Sequence, residues 1–364
     1  MKLTLIYGGK SPEHEISVLT AASVMRHLDY SEHVVLPVYI NPQGQWIAGT
    51  ECHEPLSNDT TLYMEASDTV EYRSSTQYET SLGRAVVPSD VLSPETLAFP
   101  VLHGPNGEDG TIQGLFETLE VPYVGCGVLA SAAGMDKIVS KRLFREAQIP
   151  QVPFTWIRRY QWENEQEKTL QRIEGELVYP LFVKPANMGS SVGISYADNR
   201  EALLVAIEKA FRYDRRLIIE QGVNAREVEL AVMGNDDPVV SVPGELVKQQ
   251  AFYDYDSKYI NNTVEMQIPA ELSEDMKEQL QHYARQAYLA LDCAGLTRCD
   301  FFVTYNNDIY LNEVNTLPGF TQFSMFPSLW EATGKSYAEI LRELIDLAME
   351  RYQEREALAL EGNE

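Results

Sequence analysis

A chain of 364 residues exceeds the size at which one hydrophobic core stops growing, so two or three domains are expected, and its apolar content of 44% suffices to build them. With 29 basic against 54 acidic side chains the formal net charge is −25, which excludes broad attraction to nucleic-acid backbones or anionic membranes and leaves a small anionic ligand, held by local lysines and backbone amides, as the charged partner still open. The cysteines Cys52, Cys126, Cys293 and Cys299 show no CxxC or zinc spacing and read as reduced thiols; no signal peptide or membrane span emerges, so a cytoplasmic protein is expected.

Leu3 to Tyr7 reads as a buried strand, Gly8-Gly9 as a turn, and Ile16, Leu19, Val24 and Leu28 as the apolar face of a helix. A second strand follows from Val34 to Ile40, completing a βαβ unit. Residues 51 to 84 are polar with little periodicity and read as a surface excursion, before Leu97 to Leu102 resumes a strand pattern ahead of His103-Gly104. Lys137 to Glu146 is helical in pattern, Leu181 to Lys184 and Leu217 to Glu220 are short strands, and a helix from Arg200 to Phe211 separates them. Further on come a strand from Val228 to Met233, a helix from Ser273 to Leu291 with a serine N-cap, a hairpin from Phe301 to Val314, and a last amphipathic helix marked by Tyr337, Ile340, Leu341, Leu344 and Leu347.

Two stretches carry chemistry. In Asn187-Met188-Gly189-Ser190-Ser191-Val192-Gly193 the glycines let backbone amides approach an anion, but the lysine, Lys184, precedes the loop on a strand, so this is not a Walker A motif. Taken alone the loop reads better as a glycine-serine turn. The hairpin is more informative. With Asn306-Asn307 as a two-residue turn, Tyr305 faces Asp308, and counting back places Asp300 opposite Glu313 and Arg298 opposite Asn315, all on one face. Facing carboxylates repel, and with the Asn315 oxygen beside them they suit Mg²⁺, which takes one or two carboxylates together with phosphate oxygens and water. A solvated face neutralised by Arg298 is the competing interpretation.

Lys184 with Gly189 to Gly193, then Asp300, Glu313 and Asn315, resembles the ATP-grasp carboxylate-amine ligases, and more specifically the D-alanine:D-alanine ligase family. The resemblance runs from Gly8-Gly9 and Ser11-Pro12-Glu13-His14-Glu15-Ile16-Ser17, through His103-Gly104 and Gly107-Glu108-Asp109-Gly110, to Asn315-Thr316-Leu317-Pro318-Gly319. It implies an α/β (α+β) fold of three domains, at 1-136, 137-225 and 226-364, with a parallel sheet in the first and ATP held between the other two. Lys137, Lys184 and Lys258 match the lysines that meet the phosphates, and Glu220, Val223 and Glu227 match the segment that holds adenine and ribose. Asp300, Glu313 and Asn315 match the ligands of two Mg²⁺ ions, with Mn²⁺ an admissible substitute.

The same resemblance assigns Glu13 to the first amino acid's ammonium, linked through Ser190 and Tyr259, and puts His103 near that substrate. Arg298 and the Gly319 amide match the stabilisers of the tetrahedral oxyanion, while Ser324 and Met325 match residues that meet the second substrate. Phe252 to Tyr259 resembles a lid that excludes water. The implied reaction joins two D-alanines through a D-alanyl phosphate for peptidoglycan synthesis, in a homodimer. The alternatives are D-lactate or D-serine as acceptor, another carboxylate-amine ligase, and a non-catalytic nucleotide-binding regulator.

Overall fold

The structure, a computed structural model, describes residues 1–248 and 264–358. Lys258, Tyr259 and the Phe252 to Tyr259 stretch lie outside the described residues. The fold is mixed α/β, built on three sheets.

The first sheet contains β1 (Lys2–Gly8), β2 (Val34–Ile40), β3 (Trp46–Ala48), β4 (Met64–Ala66), β5 (Ser81–Val86) and β6 (Thr96–Pro100), in the order β4-β5-β3-β2-β1-β6. Its centre, β2-β1-β6, is parallel, and β3 and β5 extend it with antiparallel pairings. The 51 to 84 stretch is therefore not a surface excursion throughout. It supplies β4 and β5, and Leu62, Met64 and Ser81 are buried. Its polarity hid this because strands at the margin of a sheet expose many of their side chains.

Helix α1 (His14–His27) joins β1 to β2 as the periodicity predicts, but the buried face runs through Val18, Ala21, Val24 and Met25, while Leu19 is 57% exposed. Polar residues occupy part of this face for a reason. Ser17 Oγ accepts from the Gly8 amide at 2.8 Å and donates to the Val101 carbonyl at 2.5 Å, tying the ends of β1 and β6 to the helix. Gly8 itself has φ +88°, and a side chain there would strike the Ile40 carbonyl.

Helices α2 (Thr111–Thr118), α3 (Val128–Met135) and α4 (Lys137–Glu146) lead to the second sheet. That sheet is antiparallel, β7 (Phe154–Arg158), β10 (Arg216–Gln221), β8 (Leu181–Pro185) and β9 (Ser195–Ala197) in spatial order, covered by α5 (Arg159–Asn164), α6 (Gln166–Glu176) and α7 (Arg200–Ala210). The third sheet is also antiparallel and contains β11 (Ala225–Gly234), β12 (Val239–Val240), β13 (Gly244–Lys248), β14 (Val264–Gln267), β15 (Gly295–Thr304) and β16 (Ile309–Asn315).

Helix α8 (Glu274–Ala290), N-capped by Ser273, packs on one face of the third sheet. Ala130, Ala133 and Phe144 of α3 and α4 join the same core. Helix α9 (Met325–Thr333) and α10 (Tyr337–Glu356) cover the other face and share a core with α1 and the first sheet. The first and third sheets thus share a core across the sequence order, whereas the second sheet packs on its own helices and, through Ile138, on α4. The four cysteines are buried and free, and no described helix is long and apolar enough to cross a membrane.

Candidate active site

The glycine loop is anchored before it turns. Asp136 N-caps α4 by accepting from the Ile138 and Val139 amides at 3.1 Å each, pairs with Arg216, and accepts from Asn187 Nδ2 at 3.0 Å. The Asn187 amide donates to Asp214 at 2.9 Å, and the Lys137 amide donates to the Ala186 carbonyl at 2.9 Å. Beyond this base Ser190, Ser191 and Gly193 have φ of 50°, 58° and 76°. Left-handed conformations in two serines cost energy and are held by their surroundings, as is frequent at functional sites. Lys137 Nζ donates to the Met188 carbonyl at 2.9 Å and lies 3.6 Å from Glu313 Oε2, joining the loop to the β15–β16 hairpin.

Lys184 lies opposite Ile218 on β10, so Glu220, two residues further along that strand, shares its face. Lys184 Nζ is 2.6 Å from Glu220 Oε2, and Lys141 Nζ approaches Glu220 Oε1 at 3.2 Å. Burial would push the Glu220 carboxyl up, but the two ammonium groups bring it down to about 2. Burial opposes the charge of Lys184 too, yet Glu220, Glu313 and Glu227 hold its pKa above the usual value; at Lys141 burial wins and the pKa falls. Lys141 and its pairing with Glu220 were not singled out from the sequence. The signal was there: Ile138, Lys141 and Phe144 follow at helical spacing, so a lysine occupies the buried stripe of α4.

On the hairpin Arg298 pairs with Asn315 and Asp300 with Glu313, as the sequence predicts, but not for the predicted reason. The turn is a three-residue one, Tyr305 to Asn307, with Asn307 at φ 67° and Thr304 bonded to Asp308. That offset is cancelled by a bulge. Phe301 pairs with Leu311, leaving Asn312 as an extra residue before Glu313. The spacing of the buried Ile309, Leu311 and Val314, two and then three residues, marks this slip in the sequence. The bulged Asn312 reaches across to the second sheet, its Oδ1 accepting from Lys184 Nζ at 3.4 Å.

Arg298 Nε lies 2.7 Å from Asp300 Oδ1 and 2.8 Å from Glu229 Oε2, and Nη2 donates to Asp300 Oδ2 at 2.7 Å. Burial disfavours its charge, but Asp300 and Glu229 keep it firmly protonated. Glu229 is a further residue the sequence did not single out; it faces Asp300 from β11, with Glu227 two residues away on the same face. Asn315 Nδ2 donates to Asp300 Oδ2 at 2.9 Å. Two carboxylates and an amide are a hard donor set that suits Mg²⁺, whose remaining positions go to phosphate oxygens and water. Asp300 accepts from Arg298 and Asn315, and a carboxylate's four lone-pair positions leave further coordination available.

The first sheet delivers Glu13 and His103 to the same place. An added Cβ at Gly104 would strike Glu13 Oε2, and one at Gly189 would stand 3.4 Å from that oxygen, so Glu13 lies between the His103-Gly104 turn and the glycine loop. His103, 4% exposed, donates from Nδ1 to the Leu317 carbonyl at 3.1 Å, and its Nε2 lies 3.1 Å from Thr20 Oγ1. Burial opposes its charge, but Glu108, 3.9 Å away, and Glu13 hold its pKa above the usual histidine value.

Gly319 sits beside Ser324, whose Oγ accepts from the Thr321 amide at 3.0 Å. Met325 has its side chain buried in the core and its backbone amide in the first turn of α9. Val223 occupies the connection from β10 to β11. The structure thus brings together Glu13, His103, Lys137, Lys184, Glu220 and the hairpin residues.

Family models described as D-ala D-ala ligase N-terminus and D-ala D-ala ligase C-terminus match residues 2–126 and 143–346. A D-alanine–D-alanine ligase from Enterococcus faecalis is 52% identical over 353 residues, covering 97% of this chain and 100% of the relative. The chain belongs to the D-alanine–D-alanine ligase family. A ligase of this family from Listeria monocytogenes is 51% identical, with 98% of each chain covered. Among solved structures, the D-alanine-D-alanine ligase from Coxiella burnetii has a TM-score of 0.76 at 33% identity, covering 98% of this chain and 96% of its own. A D-Ala:D-Ser ligase from Enterococcus faecalis has a TM-score of 0.79 at 34% identity, covering 95% and 99%. The fold is that of these ligases.

Proposed function

We propose that this ligase joins two D-alanines to D-alanyl-D-alanine, converting ATP to ADP and phosphate through a D-alanyl phosphate, to supply peptidoglycan precursors. The observation that carries the reading is the meeting of three groups: Glu13 beside the glycine loop, Lys137 and Lys184 beyond it, and the Asp300–Glu313 face of the hairpin. An ammonium-binding carboxylate and a phosphate-binding loop share one wall, as an amino acid phosphorylated on its own carboxylate requires.

In this reading Glu13 holds the ammonium of the first D-alanine, and Lys137, Lys184 and Lys258 neutralise the ATP phosphates while the substrate carboxylate attacks the terminal phosphorus. Asp300, Glu313 and Asn315 would hold two Mg²⁺ ions, or Mn²⁺, which when bound offset the phosphate charge. The second D-alanine, its carboxylate at Ser324 and the Met325 amide, attacks the acyl phosphate. Arg298, fixed by Asp300 and Glu229, and the Gly319 amide meet the oxyanion. Glu220, Val223 and Glu227 would hold adenine and ribose, and His103, buttressed by Leu317, would shape the first subsite.

The three sheets support division at 1-136, 137-225 and 226-364, with α4 packing against the third unit as well. Use of ATP supports a cytoplasmic location, and the family resemblance supports a homodimer. The likeness to a D-Ala:D-Ser ligase keeps a D-serine acceptor as the second reading. The test uses D-alanine carrying ¹⁸O in its carboxylate. The acyl-phosphate route delivers one label to each released phosphate; unlabelled phosphate would refute it, and nucleotide binding with no phosphate release would favour the regulator.

A further inference from the structure

Lys141 is among the largest fully buried side chains of the chain, with 1% exposure, and it stands one helical turn after Lys137 on α4. Its ammonium is too deep to touch a phosphate. It lies 3.2 Å from Glu220 Oε1 and 5.6 Å over the Phe154 ring, whereas the other Glu220 oxygen holds Lys184, which is 10% exposed, at 2.6 Å. A buried carboxylate thus bridges two ammonium groups, one sealed in and one at the wall of the site.

Three buried charges are expensive to desolvate, and an apolar filling of the same volume is often as stable. The cluster therefore calls for an explanation beyond packing. Charge counting provides one. A lone Glu220–Lys184 pair is neutral, so its lysine offers little net field to an anion. Adding Lys141 makes the cluster +1, with the excess charge beside the exposed member. Lys137 is already engaged with the Met188 carbonyl and near Glu313, and Glu227 adds negative field at Lys184.

Resting on the nucleotide-binding reading of Lys184, we infer that Lys141 is a positioning residue for the phosphates: it shares Glu220 so that Lys184 keeps a net positive charge toward the nucleotide. It touches no substrate. Its effect is transmitted entirely through the Glu220 carboxylate.

The test is a double-mutant cycle read by calorimetric titration of the full-length protein with ADP, with melting temperatures as the control for folding. Lys141→Met should weaken ADP binding about tenfold, because Glu220 then draws on Lys184 alone, a change of the order of one charge-assisted hydrogen bond. In the Glu220→Gln background the same substitution should change affinity less than about twofold, because the charge it balances is gone. Lys141→Arg should stay close to the parent. Equal weakening in both backgrounds would show a purely structural role and overturn the inference, as would unchanged affinity in Lys141→Met. If Lys141→Met fails to fold, Lys141→Gln runs the same cycle. ADP binding is scored separately from dipeptide formation, so a parent that binds ADP and makes no dipeptide would refute the proposed reaction and leave this inference standing.

Discussion

Asp300 and Glu313 face each other across the β15–β16 hairpin because Asn312 bulges out of the ladder beside them. The bulge does two things at once. It sets the two carboxylates in register, and it sends Asn312 across to Lys184, so the proposed metal face and phosphate lysine are joined by one backbone irregularity.

If that face binds magnesium, Glu313→Gln should raise the Mg²⁺ concentration needed for half-maximal turnover about tenfold, the loss of one charged ligand. Phosphate release measured against magnesium concentration checks this. An unchanged midpoint would remove Glu313 from the metal site.

Lys184→Ala should lower kcat/KM for ATP at least about tenfold, since it deletes a charge from the phosphate wall. It also leaves Glu220 Oε2 buried without its 2.6 Å partner, so the variant should lose about 1–3 kcal/mol in denaturant unfolding. Full turnover at limiting ATP would contradict the assignment.

Gly104 has φ +75°, and a side chain there would collide with Glu13. Gly104→Ala is therefore expected to raise the KM of the first D-alanine subsite about tenfold while leaving the KM for ATP within about twofold. Equal effects on both substrates would mean that the substitution disturbs the whole cleft instead of Glu13.

Glu220 supplies a pH signature. Its carboxyl falls from 4.5 to about 2 on folding, so its stabilisation is fully present above 4.5 and is lost as pH drops toward about 2. The stability gap between the parent and Glu220→Gln should be constant above pH 4.5 and narrow below it. Denaturant midpoints over that range measure it, and a gap that widens on acidification would rule out the depressed pKa.

The parts of the fold legible in the sequence were those where polarity and burial agree. β1, β2, α8 and α10 have clean apolar periods, and Ser273 caps α8 as its chemistry suggests. Legibility failed where function or sheet position broke that agreement. Lys141 hides as a charged residue on an apolar stripe, Ser17 replaces an apolar side chain to bind strand ends, and β5 is polar because it lies near the margin of its sheet. The hairpin is the most instructive case. Its facing residues were identified through two opposite one-residue offsets, a longer turn and a bulge, and only the irregular spacing of Leu311 and Val314 records the second.

The most direct test of the central claim is an acceptor panel: the protein with ATP, magnesium and D-alanine, alone or with D-lactate or D-serine, with phosphate release and product mass measured together. The account predicts D-alanyl-D-alanine from D-alanine alone, one phosphate per dipeptide, and dipeptide as the main product when all acceptors compete. Exclusive formation of the D-lactate ester or of the D-serine dipeptide would contradict it.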